Sequence, residues 1–93
     1  MYVNTILNMV VNISDRLLEI RKKNRLSQIT LAKILGTTQP NISRYENGII
    51  TPGYDIIIMY MNYFEVTFDY LMCLTDDPNY SKFSHKKGIA KIK

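Results

Sequence analysis

Tryptophan is absent from the 93 residues, and cysteine and histidine occur once each. A lone Cys73 cannot close an internal disulfide. With His85 placed in a polar C-terminal stretch, no Cys/His cluster of metal-ligand spacing can be assembled in the body of the chain. The same shortage removes a histidine acid or base from the body. No paired carboxylates, metal-ligand spacing or phosphate-cradling glycine loop stands out, so neither an enzyme nor a cofactor is expected. Cys73 lies in an apolar run and reads as a small core residue in a reduced environment. The apolar opening, MYVNTILNMVV, has no basic leader and no small-residue cleavage site, and it is too short to span a bilayer. It reads as a packing or pairing segment, with no membrane partner and a cytoplasmic location.

What is present is an ordinary globular composition, 46% apolar and 22% charged, enough for one domain with a modest core. The net charge of +4 conceals a segregation. Residues 16–47 carry seven Lys and Arg against Glu19 and Glu46, residues 48–81 carry five acids and no Lys or Arg, and residues 82–93 carry five Lys. A basic half beside an acidic half fits one surface that meets a polyanion and another that does not.

The organisation is helical throughout. In ISDRLLEIRKKN, Ile13, Leu17 and Ile20 recur at helical spacing, with charges on the other face. Ser27 is a natural N-cap for QITLAKIL, which Gly36 stops. Leu31, Ala32 and Leu35 form its inward stripe. Thr38 caps a third helix in which Pro40 occupies the first turn, where its missing N–H costs nothing, and Gly48 ends it. TPGYDIIIMYMNYF makes a fourth helix after Pro52, and Thr67 caps a short fifth, FDYLMCL. Tyr45, Tyr54, Tyr60 and Tyr70 lie at core-like spacings. Three parts are expected: an apolar extension over 1–12, an all-α five-helix domain over 13–75, and a loose basic tail over 76–93.

The third helix poses the functional question. Ile42 and Tyr45 face inward with Glu46 beside them, whereas Pro40, Ser43, Arg44 and Asn47 share the opposite face. Gln39 and Asn41 project from the first turn. Amides, a guanidinium fork, a hydroxyl and an apolar ring edge are the groups that read base edges in a major groove. A merely solvated face is the competing reading of the same residues.

LSQITLAKILGTTQPNISRYENGIITP resembles the helix-turn-helix of the Cro/CI-type (XRE) repressors, and the resemblance runs from about Ile13 to Leu74, through VTFDYL. It implies a lambda-repressor-like fold and a transcriptional regulator of repressor type that binds double-stranded DNA with its third helix. Carried over by position, it assigns base reading to Gln39, Pro40 and Arg44, with Asn41 and Ser43 nearby. Ser27, Gln28, Thr37, Thr38 and Asn47 become backbone contacts, and Arg21 and Glu46 a structural ion pair. The basic run Arg21, Lys22, Lys23 and Arg25 fits either a solvated helix end or distant help with DNA.

Three departures from the family pattern matter. Ile49 and Ile50 stand where relatives often carry Lys or Arg. Glu65 occupies a helix C-cap position that Gly or Asn would fill more easily. The fourth helix is apolar nearly all round, with Ile56, Met59 and Tyr63 at positions that relatives usually leave polar, so something must cover them. With Val3, Ile6, Leu7 and Val10 of the opening segment, these residues are expected to form a homodimer contact. One alternative is that the opening segment folds back on its own subunit; another is a small protein partner, as in an antitoxin that uses its helix-turn-helix for autoregulation.

Overall fold

The computed structural model describes residues 2–82, with side chains from residue 13 onward. Five helices and no strand occur among the described residues: α1 (Tyr2–Lys23), α2 (Gln28–Leu35), α3 (Gln39–Glu46), α4 (Tyr54–Phe64) and α5 (Phe68–Leu71). None of these helices is long and apolar enough to cross a membrane. The chain is all-α, as its periodicity and caps indicate.

The helix ends follow from local chemistry. Ser27 Oγ accepts from the Thr30 N–H at 3.0 Å, Thr38 Oγ1 from Asn41 at 3.3 Å, and Thr67 Oγ1 from Tyr70 at 3.1 Å. Each satisfies one of the orphan donors of a first turn. Gly36 and Gly48 close the other ends at φ +71° and +72°, a region that costs glycine nothing. Glu65 takes the same left-handed geometry at the end of α4 (φ 56°) and bears the Cβ crowding that glycine avoids.

The core gathers Leu17 and Ile20 from α1, Leu31 and Leu35 from α2, Ile42 and Tyr45 from α3, Ile57, Tyr60 and Met61 from α4, and Tyr70 and Leu71 from α5. Every helix thus contributes its apolar stripe to one centre. The four-residue α5 is too short to be stable alone, and it is held by the segment that follows it. The Thr67 N–H donates to the Pro78 carbonyl at 3.1 Å, and Asp69 Oδ2 accepts from the Lys82 N–H at 2.9 Å. Arg16 ties the same segment to α1. It is only 7% exposed, donates to the Thr75 carbonyl at 3.1 Å and Asp76 Oδ1 at 3.0 Å, and lies 3.9 Å over the Tyr70 ring.

Residues 2–12 belong to α1, so the opening segment and the first amphipathic stretch form one helix. Several sequence expectations are corrected here. Arg16, read as part of a charged outer face, is buried because the Thr75 carbonyl, the Asp76 carboxylate and the Tyr70 ring supply its partners. Tyr54 is 76% exposed because it begins α4 and points away from the stripe that contains Ile57, Tyr60 and Met61. Cys73 is half-buried in a left-handed turn (φ 61°), outside the core, since α5 has already ended at Leu71. The expectation of a loose tail falls, from residue 83 onward, outside the described residues.

Candidate nucleic-acid interface

Three residues, Gly36 to Thr38, connect α2 to α3. Gly36 turns the chain in the left-handed region, and the Thr37 N–H returns to the Ala32 carbonyl at 2.9 Å. Thr38 then caps α3, and Pro40 sits in its first turn. Ile42, Tyr45 and Glu46 are buried, which fixes the rotation of α3 about its axis. Gln39, Pro40, Arg44 and Asn47 are exposed, while Asn41 and Ser43 are half-buried.

The polar side chains on this face hold one another. Asn41 Nδ2 donates to Thr37 Oγ1 at 3.0 Å, and Asn41 Oδ1 accepts from Arg44 Nη1 at 3.1 Å. Asn47 Nδ2 donates back to the Ser43 carbonyl at 2.9 Å and Ser43 Oγ at 3.2 Å. Asn41 therefore braces the first turn. Arg44 spends one of its five N–H donors on this brace, which leaves most of its fork for another acceptor.

Behind the face, Arg21 and Glu46 join α1 to α3. Arg21 Nε donates to Glu46 Oε2 at 2.7 Å and Nη2 to Oε1 at 3.0 Å, while Nη1 donates to the Leu26 carbonyl at 2.8 Å. The hydrogen bonds that Arg21 donates to Glu46 push the Arg21 pKa further up, against the opposing effect of burial. Gln28 Nε2 donates to the same Glu46 Oε1 at 3.0 Å, and Gln28 Oε1 accepts from Gln39 Nε2 at 2.7 Å. The sequence offered Gln28 and Gln39 as separate contacts. That they touch each other depends on how α2 and α3 cross, which no local pattern encodes.

The residues proposed for a partner surface divide. Ile56 is half-buried and packs against the core. Met59 and Tyr63 are exposed, with the Tyr63 ring edge-on to Phe64 at 4.9 Å. Side chains of Val3, Ile6, Leu7 and Val10 lie outside the described residues. Ile49 and Ile50 are exposed just past α3. Ser27 and Thr38 use their side chains as caps, while Thr37 takes the bond from Asn41.

Two short capped helices crossing through a three-residue turn, the second with a polar face to solvent, define a helix-turn-helix protein. A helix-turn-helix family model matches residues 17–71, more than half of the chain, and the protein belongs to this XRE-type helix-turn-helix family. The chain is similar to two proteins of Bacillus subtilis (strain 168), each called an uncharacterized HTH-type transcriptional regulator. It is 37% identical to YqaE over 59 residues, covering 63% of this chain and 51% of that one. It is 31% identical to YobD over 65 residues, covering 70% of this chain and 58% of that one. The chain thus spans somewhat over half the length of these curated relatives. No solved structure matches it significantly.

Proposed function

We propose that the protein is a sequence-specific double-stranded DNA-binding transcriptional regulator of repressor type. The observation that carries this reading is the outward face of α3: exposed Gln39, Pro40, Arg44 and Asn47 on a helix rotated into place by buried Ile42, Tyr45 and Glu46. Family membership and the names of the two relatives support it. In this reading α3 enters the major groove, with Gln39, Pro40 and Arg44 at base edges and Asn41 and Ser43 beside them. The capped start of α2, at Ser27 and Gln28, offers exposed donors and a favourable dipole to a phosphate. Thr37, Thr38 and Asn47 flank the same backbone.

Two copies would read half-sites about one helical turn, ~34 Å, apart. The exposed Met59 and Tyr63 favour such a homodimer, and the same apolar pair supports the second reading, a small protein partner on that face. Exposed Ile49 and Ile50 offer no cation to phosphates on one flank, which lowers the salt dependence of binding by about 0.9 in slope for each phosphate left unneutralised.

Selection of random duplexes on the purified protein at two salt concentrations tests the proposal. A recovered two-fold motif is the expected outcome. Binding without a motif that vanishes as salt rises would leave only electrostatic adhesion and favour the partner reading. Arg44→Ala should cost ~1–3 kcal/mol and relax the preference at a single base pair. An equal loss on every sequence would make Arg44 a phosphate contact.

A further inference from the structure

We infer that the homodimer is built by reciprocal exchange: the front half of α1, residues 2–12, lies on the Ile56, Met59 and Tyr63 face of α4 in a second copy, which returns the same contact. This inference rests on the homodimer reading given above and assigns the surfaces that make it.

The course of α1 decides against a contact within one subunit. The helix runs unbroken from Tyr2 to Lys23 and holds no Pro or Gly at which to kink. Its rear end lies beside the end of α4, since Ile20 and Lys23 line one surface groove with Tyr63 and Phe64. Position 10 is ten residues ahead of Ile20 and position 3 is seventeen ahead. At ~1.5 Å per residue these positions stand about 15–25 Å along the axis from that groove. Apolar side chains are in contact only when their heavy atoms come within ~4.0–4.5 Å. The front half therefore cannot close over Tyr63 of its own subunit without breaking the helix. A patch that includes Tyr63 is open to the front half of another copy.

Two further features fit the faces to each other. Neither carries charge: residues 2–14 and 56–64 contain no Asp, Glu, Lys or Arg, and the cores of interfaces are depleted in charged residues. The faces also match in length, because positions 3 to 10 and 56 to 63 each advance seven residues, ~10 Å of helix. On α4, Met59 is 38% and Tyr63 49% exposed, so the receiving face is uncovered in the single subunit. A two-fold exchange uses both faces of both copies and closes at two. Pairing α1 with α1, or α4 with α4, would leave the other face bare.

The test is sedimentation of the full chain and of two variants, alone and mixed, with circular dichroism to establish folding. Positions 6 and 59 are central in their faces, so they oppose each other whichever way the helices run. Ile6→Lys and Met59→Glu each place an unpaired charge in both contacts, and each should weaken the dimer about 100-fold or more. An equimolar mixture of the two can form a dimer in which one contact is wild-type and the other sets the new ammonium against the new carboxylate. Its association should return to within about tenfold of the wild type. Tyr63→Glu takes the place of Met59→Glu where the latter unfolds. A dimer that survives either single substitution in a folded variant overturns the exchange, as does a mixture no tighter than its components. A wild type that stays monomeric at tens of micromolar overturns the homodimer reading itself, which separates the two.

Discussion

The helix-turn-helix, residues 27–48, and the end of the molecule formed by α4, α5 and the following segment are held by different physics. In the first, Ser27, Thr38, Gly36 and Gly48 end the helices, and a polar lattice from Arg21 to Gln39 joins three helices. In the second, α4 begins at Gly53 with no side-chain cap and ends on a left-handed glutamate, and only Thr67 repeats the capping device. Apolar contact, one buried arginine and two hydrogen bonds between α5 and the segment after it do the rest. Directional bonds define angles, which a reading surface needs. Apolar contact holds elements together with less control over orientation, which suffices for a scaffold.

The largest effect should come from breaking the lattice at its buried carboxylate. Glu46→Ala strands the Arg21 guanidinium, and loss of a buried partner costs ~3–5 kcal/mol; a drop below ~1 kcal/mol in urea unfolding would mean that water replaces the carboxylate. Next comes the arginine of the other region. Arg16→Met keeps most of the side-chain volume but loses the Thr75 and Asp76 bonds and the charge over Tyr70. A loss of ~2–3 kcal/mol is expected, with faster proteolysis in residues 75–82 and little change around α3. Equal loosening of both regions, read by hydrogen exchange, would blur the contrast between them.

Smaller changes should improve the α4–α5 end. Glu65→Gly relieves the left-handed strain and should raise stability by about 0.5–1 kcal/mol, net of the extra freedom glycine gives the unfolded chain. No gain in the thermal midpoint would show that contacts of the Glu65 side chain offset the strain. The smallest effect belongs to Tyr60, whose buried hydroxyl finds no hydrogen-bond partner. Tyr60→Phe should be neutral or stabilising by up to ~1 kcal/mol at pH 7. Burial, and secondarily the nearby Glu46, push the phenol pKa up from its ordinary 10.0. A phenol whose folded pKa is raised leaves stability intact below pH ~10, and above it the unfolded chain ionises first and stability falls. The wild type should therefore lose stability more steeply than Tyr60→Phe on titration from pH 9 to 11.

Much of the fold was legible because its signals are local. Ser27, Thr38 and Thr67 precede apolar runs, Gly36 and Gly48 follow them, and a cap needs only a few neighbouring residues. Leu17, Ile20, Leu31 and Ile42 were legible from spacing for the same reason. Arg16 was not, since its partners lie 59 and 60 positions away, and a charge among apolar residues at helical spacing looks solvated. Tyr54 misled in the opposite direction: its spacing suggested core, but its place at the first residue of α4 turned it outward. In the candidate site the residue types were legible and their mutual bonds were not. Gln28 and Gln39 are 11 positions apart, and their contact exists only once two helices have crossed.

The continuity of α1 has a consequence for how any contact at its front end would be built. Positions 3, 6, 10, 13, 17 and 20 are all aliphatic and are separated by alternating steps of three and four. On one uninterrupted helix such steps mark out a single seam, and its rear members, Leu17 and Ile20, are buried in the domain core. The seam and the core are therefore in phase. One residue inserted at position 12 would leave composition and charge almost unchanged, yet it would swing the front half by about 100° relative to the rear. Register, more than hydrophobicity, would then decide whether a second molecule could take up the front half and the domain at the same time.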